Sequence, residues 1–90
     1  MKRKIIIERQ FGKDLLLMKR RGKKLEKLDA LTALLELEGR LPLSFRPHRL
    51  SGEYEGVWEC HIEHDWLLIY EISNDKVLLF RTGTHSDLFE

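Results

Sequence analysis

The run Trp66-Leu67-Leu68-Ile69-Tyr70 is apolar at every position and lies between two polar turns, Glu63-His64-Asp65 and Ser73-Asn74-Asp75. A strand that is apolar on both faces has to be covered on both, so this run predicts the central strand of a sheet. The residues on either side supply its neighbours. Upstream, Val57 to Glu63 alternates, with Trp58, Cys60 and Ile62 on one face and Val57, Glu59, His61 and Glu63 on the other. Downstream, Lys76 to Thr82 reads as a further strand with Val77, Leu79 and Arg81 on one side, ended by Gly83. Arg49-Leu50 with Ser51-Gly52 reads as a short strand and turn, and Thr84 to Phe89 as no more than a helical turn.

The front half has a different period. Lys4 to Glu8, with its β-branched isoleucines, predicts a brief strand. Phe11, Leu15 and Met18 then recur at helical spacing, Leu16 and Leu17 widen the stripe, and Gly22 stands where a left-handed helix end needs it. Leu25, Leu28, Leu31 and Leu35 mark a second helix, broadened by Leu34 and Leu37 and stopping near Glu38-Gly39. Leu41 to Pro47 is an irregular connector. The order predicts one α+β domain spanning residues 1–90: an N-terminal strand, a helical hairpin, then a three- to four-stranded antiparallel sheet with the helices on one face. The other face should present His61, with His48 and His85 supplied by connectors at the strand ends.

Composition narrows the function classes. With 42% hydrophobic and 34% charged residues, the chain has a globular balance and not that of a disordered one. Cys60 is the single cysteine, which excludes an intramolecular disulfide and argues against a thiolate zinc site. The basic start Lys2-Arg3-Lys4 is followed by only three isoleucines, short of a signal core, and no run is long enough for a transmembrane helix, so a cytoplasmic location is expected. The net charge of +1 hides a strong asymmetry: residues 2–27 hold eleven basic and three acidic side chains, giving +8, and the rest of the chain carries −7. A basic helical lobe of this kind, with Lys19, Arg20, Arg21, Lys23, Lys24 and Lys27 on its polar faces, fits an RNA, DNA or acidic-protein partner or a solvated helix face.

All four histidines follow the first half: His48, His61, His64 and His85. Imidazole titrates nearest neutrality, which makes the set a first place to seek acid-base chemistry. The segment Cys60-His61-Ile62-Glu63-His64-Asp65-Trp66-Leu67-Leu68-Ile69-Tyr70, then Phe80-Arg81-Thr82-Gly83-Thr84-His85 and Leu88-Phe89, resembles the YafQ branch of the RelE/ParE toxin superfamily. Leu41-Pro42-Leu43 and His48-Arg49-Leu50-Ser51-Gly52 are similar to the same branch. The resemblance implies a RelE-like fold and a toxin of a type II toxin-antitoxin system. It implies an endoribonuclease, an mRNA interferase that cuts mRNA on the translating ribosome and is silenced by a cognate antitoxin. The family's catalytic set corresponds to His48, His61, Asp65, Trp66, His85 and Phe89, with Arg81 in the strand leading to the last histidine.

The chemistry needs a base for the ribose 2′-hydroxyl, an acid for the departing 5′-oxygen and positive charge on the phosphate, without a metal or other cofactor. The expected division gives His85 the proton-donor role and has Asp65 with His61 activate the 2′-hydroxyl, while His48 and Arg81 hold the phosphate. Trp66 and Phe89 are expected at the substrate, Trp66 either by base stacking or as core packing and Phe89 as a clasp or the wall of a base pocket. Asp65 is read as a base, as the group that orients a neighbouring histidine, or as a turn-closing residue. The rival classes are a ParE-like non-enzymatic toxin acting on DNA gyrase and a plain nucleic-acid-binding module.

Overall fold

The doubly apolar run becomes the middle of a five-stranded sheet in the computed structural model, which describes residues 2–52 and 56–89. The elements follow in the order β1 (Lys4–Ile7), α1 (Arg9–Arg20), α2 (Leu25–Glu38), a 3-10 turn (Leu43–Phe45), β2 (His48–Arg49), β3 (Trp58–Glu63), β4 (Trp66–Ile72), β5 (Lys76–Gly83) and α3 (His85–Phe89). Their order across the sheet is β1-β5-β4-β3-β2. Strands β2 to β5 form the expected antiparallel set. β1 adds a fifth strand, parallel to β5, with Ile5 opposite Val77 and Ile7 opposite Leu79. The sheet is therefore mixed. The isoleucines of β1 require a partner strand, but the partner and its direction are set by distant pairing that a local pattern does not encode.

Helix α1 ends in a Schellman motif around Gly22, at φ 81°. The Lys23 N–H bonds to the Met18 carbonyl and the Gly22 N–H to the Lys19 carbonyl, both at 3.0 Å. The hairpin packs Phe11, Met18, Leu28, Leu31 and Leu35 against Cys60, Ile62, Trp66, Leu68, Tyr70, Val77 and Leu79. Leu17 and Leu34 join this core at its margin, but Leu16 and Leu37 stand 58% and 55% exposed. At about 100° per residue those two leucines fall on the sides of their helices opposite Phe11 and Leu28, so the buried stripes are narrower than expected.

Leu67 and Ile69 of β4 face the other way and are covered by Leu88 of α3, with Leu50, Val57 and Phe80 around them. The helices therefore lie on both faces, the hairpin on one and the short α3 on the other. Two bulges interrupt the expected alternation. In the β3–β4 pair the register slips between His61 and Glu63, and in the β4–β5 pair Ile69 lies opposite Arg81 while Tyr70 lies opposite Leu79. Phe80 is the extra residue, and it moves Arg81 out of step with Val77 and Leu79. None of the described helices is long and apolar enough to cross a membrane.

Candidate active site

The first bulge separates His61 from Glu63. Glu63 turns toward the hairpin, where Lys27 Nζ meets one carboxylate oxygen at 2.7 Å and Lys23 Nζ the other at 3.4 Å. The Lys27 and Lys23 ammonium groups hold its carboxyl below the usual range. His61 stays on the α3 face of the sheet, opposite Leu67. Its Nδ1–H donates to the His64 carbonyl at 3.2 Å, which leaves Nε2 as the ring's basic nitrogen. His64 thus enters the site through its backbone.

β2 brings His48 beside this ring. Arg46, just before Pro47, adopts the left-handed conformation at φ 51°, which for a non-glycine residue costs about 1–2 kcal/mol. Its carbonyl then accepts from His48 Nδ1 at 2.8 Å. His48 lies opposite Glu59 across the β2–β3 pair, and its Nε2 is 3.1 Å from the Glu59 carboxylate, whose side chain is only 7% exposed. Both ring nitrogens of His48 thus face oxygen acceptors.

The β3–β4 turn carries Asp65, and the end of β5 delivers His85 to it. One Asp65 oxygen accepts the His85 backbone N–H at 3.0 Å and lies 2.6 Å from His85 Nδ1. These bonds, the backbone N–H first, lower the Asp65 pKa below the ordinary carboxylate value. Asp65 is therefore a carboxylate that orients His85. It does not pair with His61 as expected, because register places Gly83 beside Leu67 and so brings the residue after the strand onto the turn. Ring centroids are 6.4 Å apart for His48 and His61, 6.0 Å for His61 and His85, and 6.5 Å for His85 and Phe89. Four of the expected residues thus form one solvent-facing row.

Trp66 and Arg81 stand behind that row. Trp66 has no exposed surface: its indole N–H donates to the Thr82 hydroxyl at 2.9 Å, and Thr82 in turn donates to the Leu67 carbonyl at 2.7 Å. The Lys23 ammonium lies over the Trp66 ring, 5.9 Å from its centroid. Base stacking by Trp66 is thereby corrected to core packing, since both the ring and its polar atom are already enclosed. Arg81 is forked onto Asp14 of α1, through Nε at 2.7 Å and Nη2 at 3.3 Å. Asp14 also accepts the Thr82 N–H at 3.2 Å, occupying the edge of β5 beyond the last β1 pair. Cys60 is wholly buried, which pushes its thiol up to about 12. Among the described residues, no three of His, Cys, Asp and Glu are placed to hold a metal ion.

Three carboxylates complete this arrangement that sequence reasoning did not single out. Asp14 is the one acidic side chain at the buried spacing Phe11, Asp14, Met18, a local signal that a cation awaits it. Asp87 stands three residues after Thr84, the spacing of a helix capping box. Glu59 was placed on the His61 face, but its pairing with His48 depends on strand register.

Known proteins are similar to this chain over most of its length. The model of the bacterial toxin of type II toxin-antitoxin systems, YafQ, matches residues 3–90. The mRNA interferase toxin YafQ of Escherichia coli K12 is 43% identical over 83 residues, covering 89% of this chain and 88% of the relative. The crystal structure of YafQ from Escherichia coli BL21(DE3) superposes with a TM-score of 0.91 at 36% identity, covering 98% of this chain and 99% of that one. The toxin of the Escherichia coli DinJ-YafQ toxin-antitoxin complex superposes at 0.90, again with 36% identity and complete coverage of both chains. This chain belongs to the YafQ family of bacterial type II toxin-antitoxin toxins.

Proposed function

We propose that this toxin is an endoribonuclease that cleaves mRNA on the translating ribosome by acid-base catalysis without a metal, and that a cognate antitoxin restrains it. The observation that carries the proposal is the Asp65–His85 pair beside His61 and His48 in one exposed row. The mRNA substrate and the antitoxin are supported by the name of the K12 relative and by the DinJ-YafQ complex.

His61 Nε2 takes the ribose 2′-hydroxyl proton, and the freed oxygen attacks the adjacent phosphorus. The bond from phosphorus to the 5′-oxygen breaks as His85 delivers a proton to that oxygen from Nε2. Asp65, ionised and bonded to Nδ1, fixes the His85 tautomer and stabilises its imidazolium. His48 faces charge on the nonbridging oxygens, Arg81, forked onto Asp14, adds its charge from behind the row, and Phe89 packs beside His85 as an aromatic wall for a base. The products are a 2′,3′-cyclic phosphate and a 5′-hydroxyl.

The test incubates a defined mRNA with purified toxin, with and without ribosomes, and maps cut sites and end groups for wild type and His85→Ala. Cyclic-phosphate or 3′-phosphate ends that vanish in the variant are the expected result. Ends bearing 3′-hydroxyl and 5′-phosphate refute the mechanism, and absence of cutting in both conditions favours a gyrase-directed or purely binding toxin.

A further inference from the structure

Helix α3 is five residues long, too short to hold its shape unaided, and it carries both His85 and Phe89. Its first turn is built by reciprocal bonds: the Thr84 N–H donates to Asp87 Oδ2 at 2.9 Å, and the Asp87 N–H donates to the Thr84 hydroxyl at 3.2 Å. Gly83 makes room for this, because a Cβ there would lie 2.9 Å from Asp87 Cβ and Oδ2. The same carboxylate receives the Arg21 guanidinium as a fork, Nη1 on Oδ2 at 2.7 Å and Nη2 on Oδ1 at 3.1 Å. Arg21 is the C-cap of α1, its backbone held by an N–H bond to the Leu17 carbonyl just before the Gly22 motif. His85 is therefore held between two carboxylates, Asp65 on its ring and Asp87 in its own turn, the latter tied to the helical hairpin.

We propose that Arg21 is a positioning residue for His85, acting through Asp87. Arg21 is exposed on the basic lobe like Lys19, Arg20 and Lys24, with 40% of its side chain open, yet its guanidinium is forked onto the Asp87 carboxylate of its own chain. Its contribution is to turnover, through the angle at which α3 presents the imidazole, and not to RNA affinity. This assignment rests on His85 being the proton donor.

The test compares full-length wild type, Arg21→Met, Arg21→Lys, Asp87→Asn and the Arg21→Met/Asp87→Asn pair, with thermal melts confirming the fold. Arg21→Met is expected to lower kcat about tenfold to a hundredfold, as small misplacements of a reacting group do, with KM changed by less than about twofold. Arg21→Lys restores part of the loss, and Arg21→Met adds little once Asp87 is already Asn. The side-chain nitrogen resonances of His85, followed by NMR across pH, should shift in Arg21→Met while those of His48 stay in place. A raised KM and weaker salt dependence at unchanged kcat would instead make Arg21 a phosphate contact and overturn the proposal, as would unshifted His85 resonances or additive effects in the pair. The resonances report position even if His85→Ala still cleaves, so the failure of the parent mechanism is recognised separately.

Discussion

Replacing Thr82 by valine tests whether Trp66 belongs to the scaffold or to the substrate surface. The shape is nearly kept, so the cost comes from the hydroxyl. That hydroxyl accepts the Trp66 indole N–H at 2.9 Å and donates to the Leu67 carbonyl at 2.7 Å, with Thr82 1% and Trp66 0% exposed. A buried donor left without an acceptor costs about 1–3 kcal/mol, and the weakened carbonyl adds about 1 kcal/mol. The new methyl returns about 0.8 kcal/mol by apolar burial. The net loss is about 2 kcal/mol, which in a domain of this size lowers Tm by roughly 8–16 °C. Urea unfolding followed by tryptophan fluorescence should show a lower midpoint at unchanged slope. In a Trp66→Phe background the same valine should cost about 1 kcal/mol less, because the orphaned N–H is gone. Cleavage per folded molecule, measured well below the transition, should stay within about twofold of wild type, since no reacting group has moved. A midpoint unchanged within error, or cleavage lost from a protein of wild-type stability, would refute the scaffold assignment.

Gly83→Ala drives a methyl to 2.9 Å from Asp87 Cβ, so α3 must shift; stability should fall by about 1–3 kcal/mol and cleavage by more than that loss explains, checked by melts and single-turnover rates. The Arg21 fork lowers the Asp87 pKa from 3.8 to about 2, below its unfolded value, so its stabilisation is complete above 3.8 and lost as pH falls through about 2. Thermal melts between pH 4 and pH 2 should accordingly decline less steeply for Asp87→Asn than for wild type. With Lys19, Arg20 and Lys24 exposed on the basic lobe, affinity for an acidic antitoxin segment should weaken from low to high salt in a binding titration, because screening acts over about 8 Å at physiological ionic strength. An affinity independent of salt would remove the electrostatic interface.

The strands of the sheet and the two long helices were legible because their signals are local: period two in Trp58 to Ile62, period 3.6 in Phe11 to Leu35, and glycines at the two helix ends. Pairing is not local, which is why the parallel docking of β1 beside β5 lay outside any window of sequence. Bulges were illegible for a related reason. An inserted residue leaves the composition of a strand intact but exchanges the faces beyond it, and so Glu63 meets Lys23 and Lys27 instead of sharing the His61 face. The capping box at Thr84 and Asp87 was not singled out, although its three-residue spacing is a local signal for the bonds that start α3.

The identities of the site histidines were likewise readable, but their roles were not, because a role depends on what each ring nitrogen meets across the sheet. His48 meets Glu59 through the β2–β3 register, and His85 meets Asp65 through the β4–β5 register. Each of these rings has a carboxylate oxygen within hydrogen-bond reach, Glu59 at 3.1 Å and Asp65 at 2.6 Å. The His61 contact is a neutral carbonyl three residues along the chain, at His64. A carbonyl fixes the tautomer without supplying a counter-charge, which leaves His61 Nε2 open toward solvent-side substrate in the proposed base role. The proposed three-way split of base, acid and phosphate-facing cation rests on that difference in partners. Exchanging it should be possible at one atom: Asp65→Asn keeps the bond to the His85 backbone N–H but removes the charge opposite its imidazolium. Turnover should fall by about tenfold to a hundredfold with His61 unaltered, and a variant that cleaves at the wild-type rate would show that the carboxylate is not what makes His85 the acid.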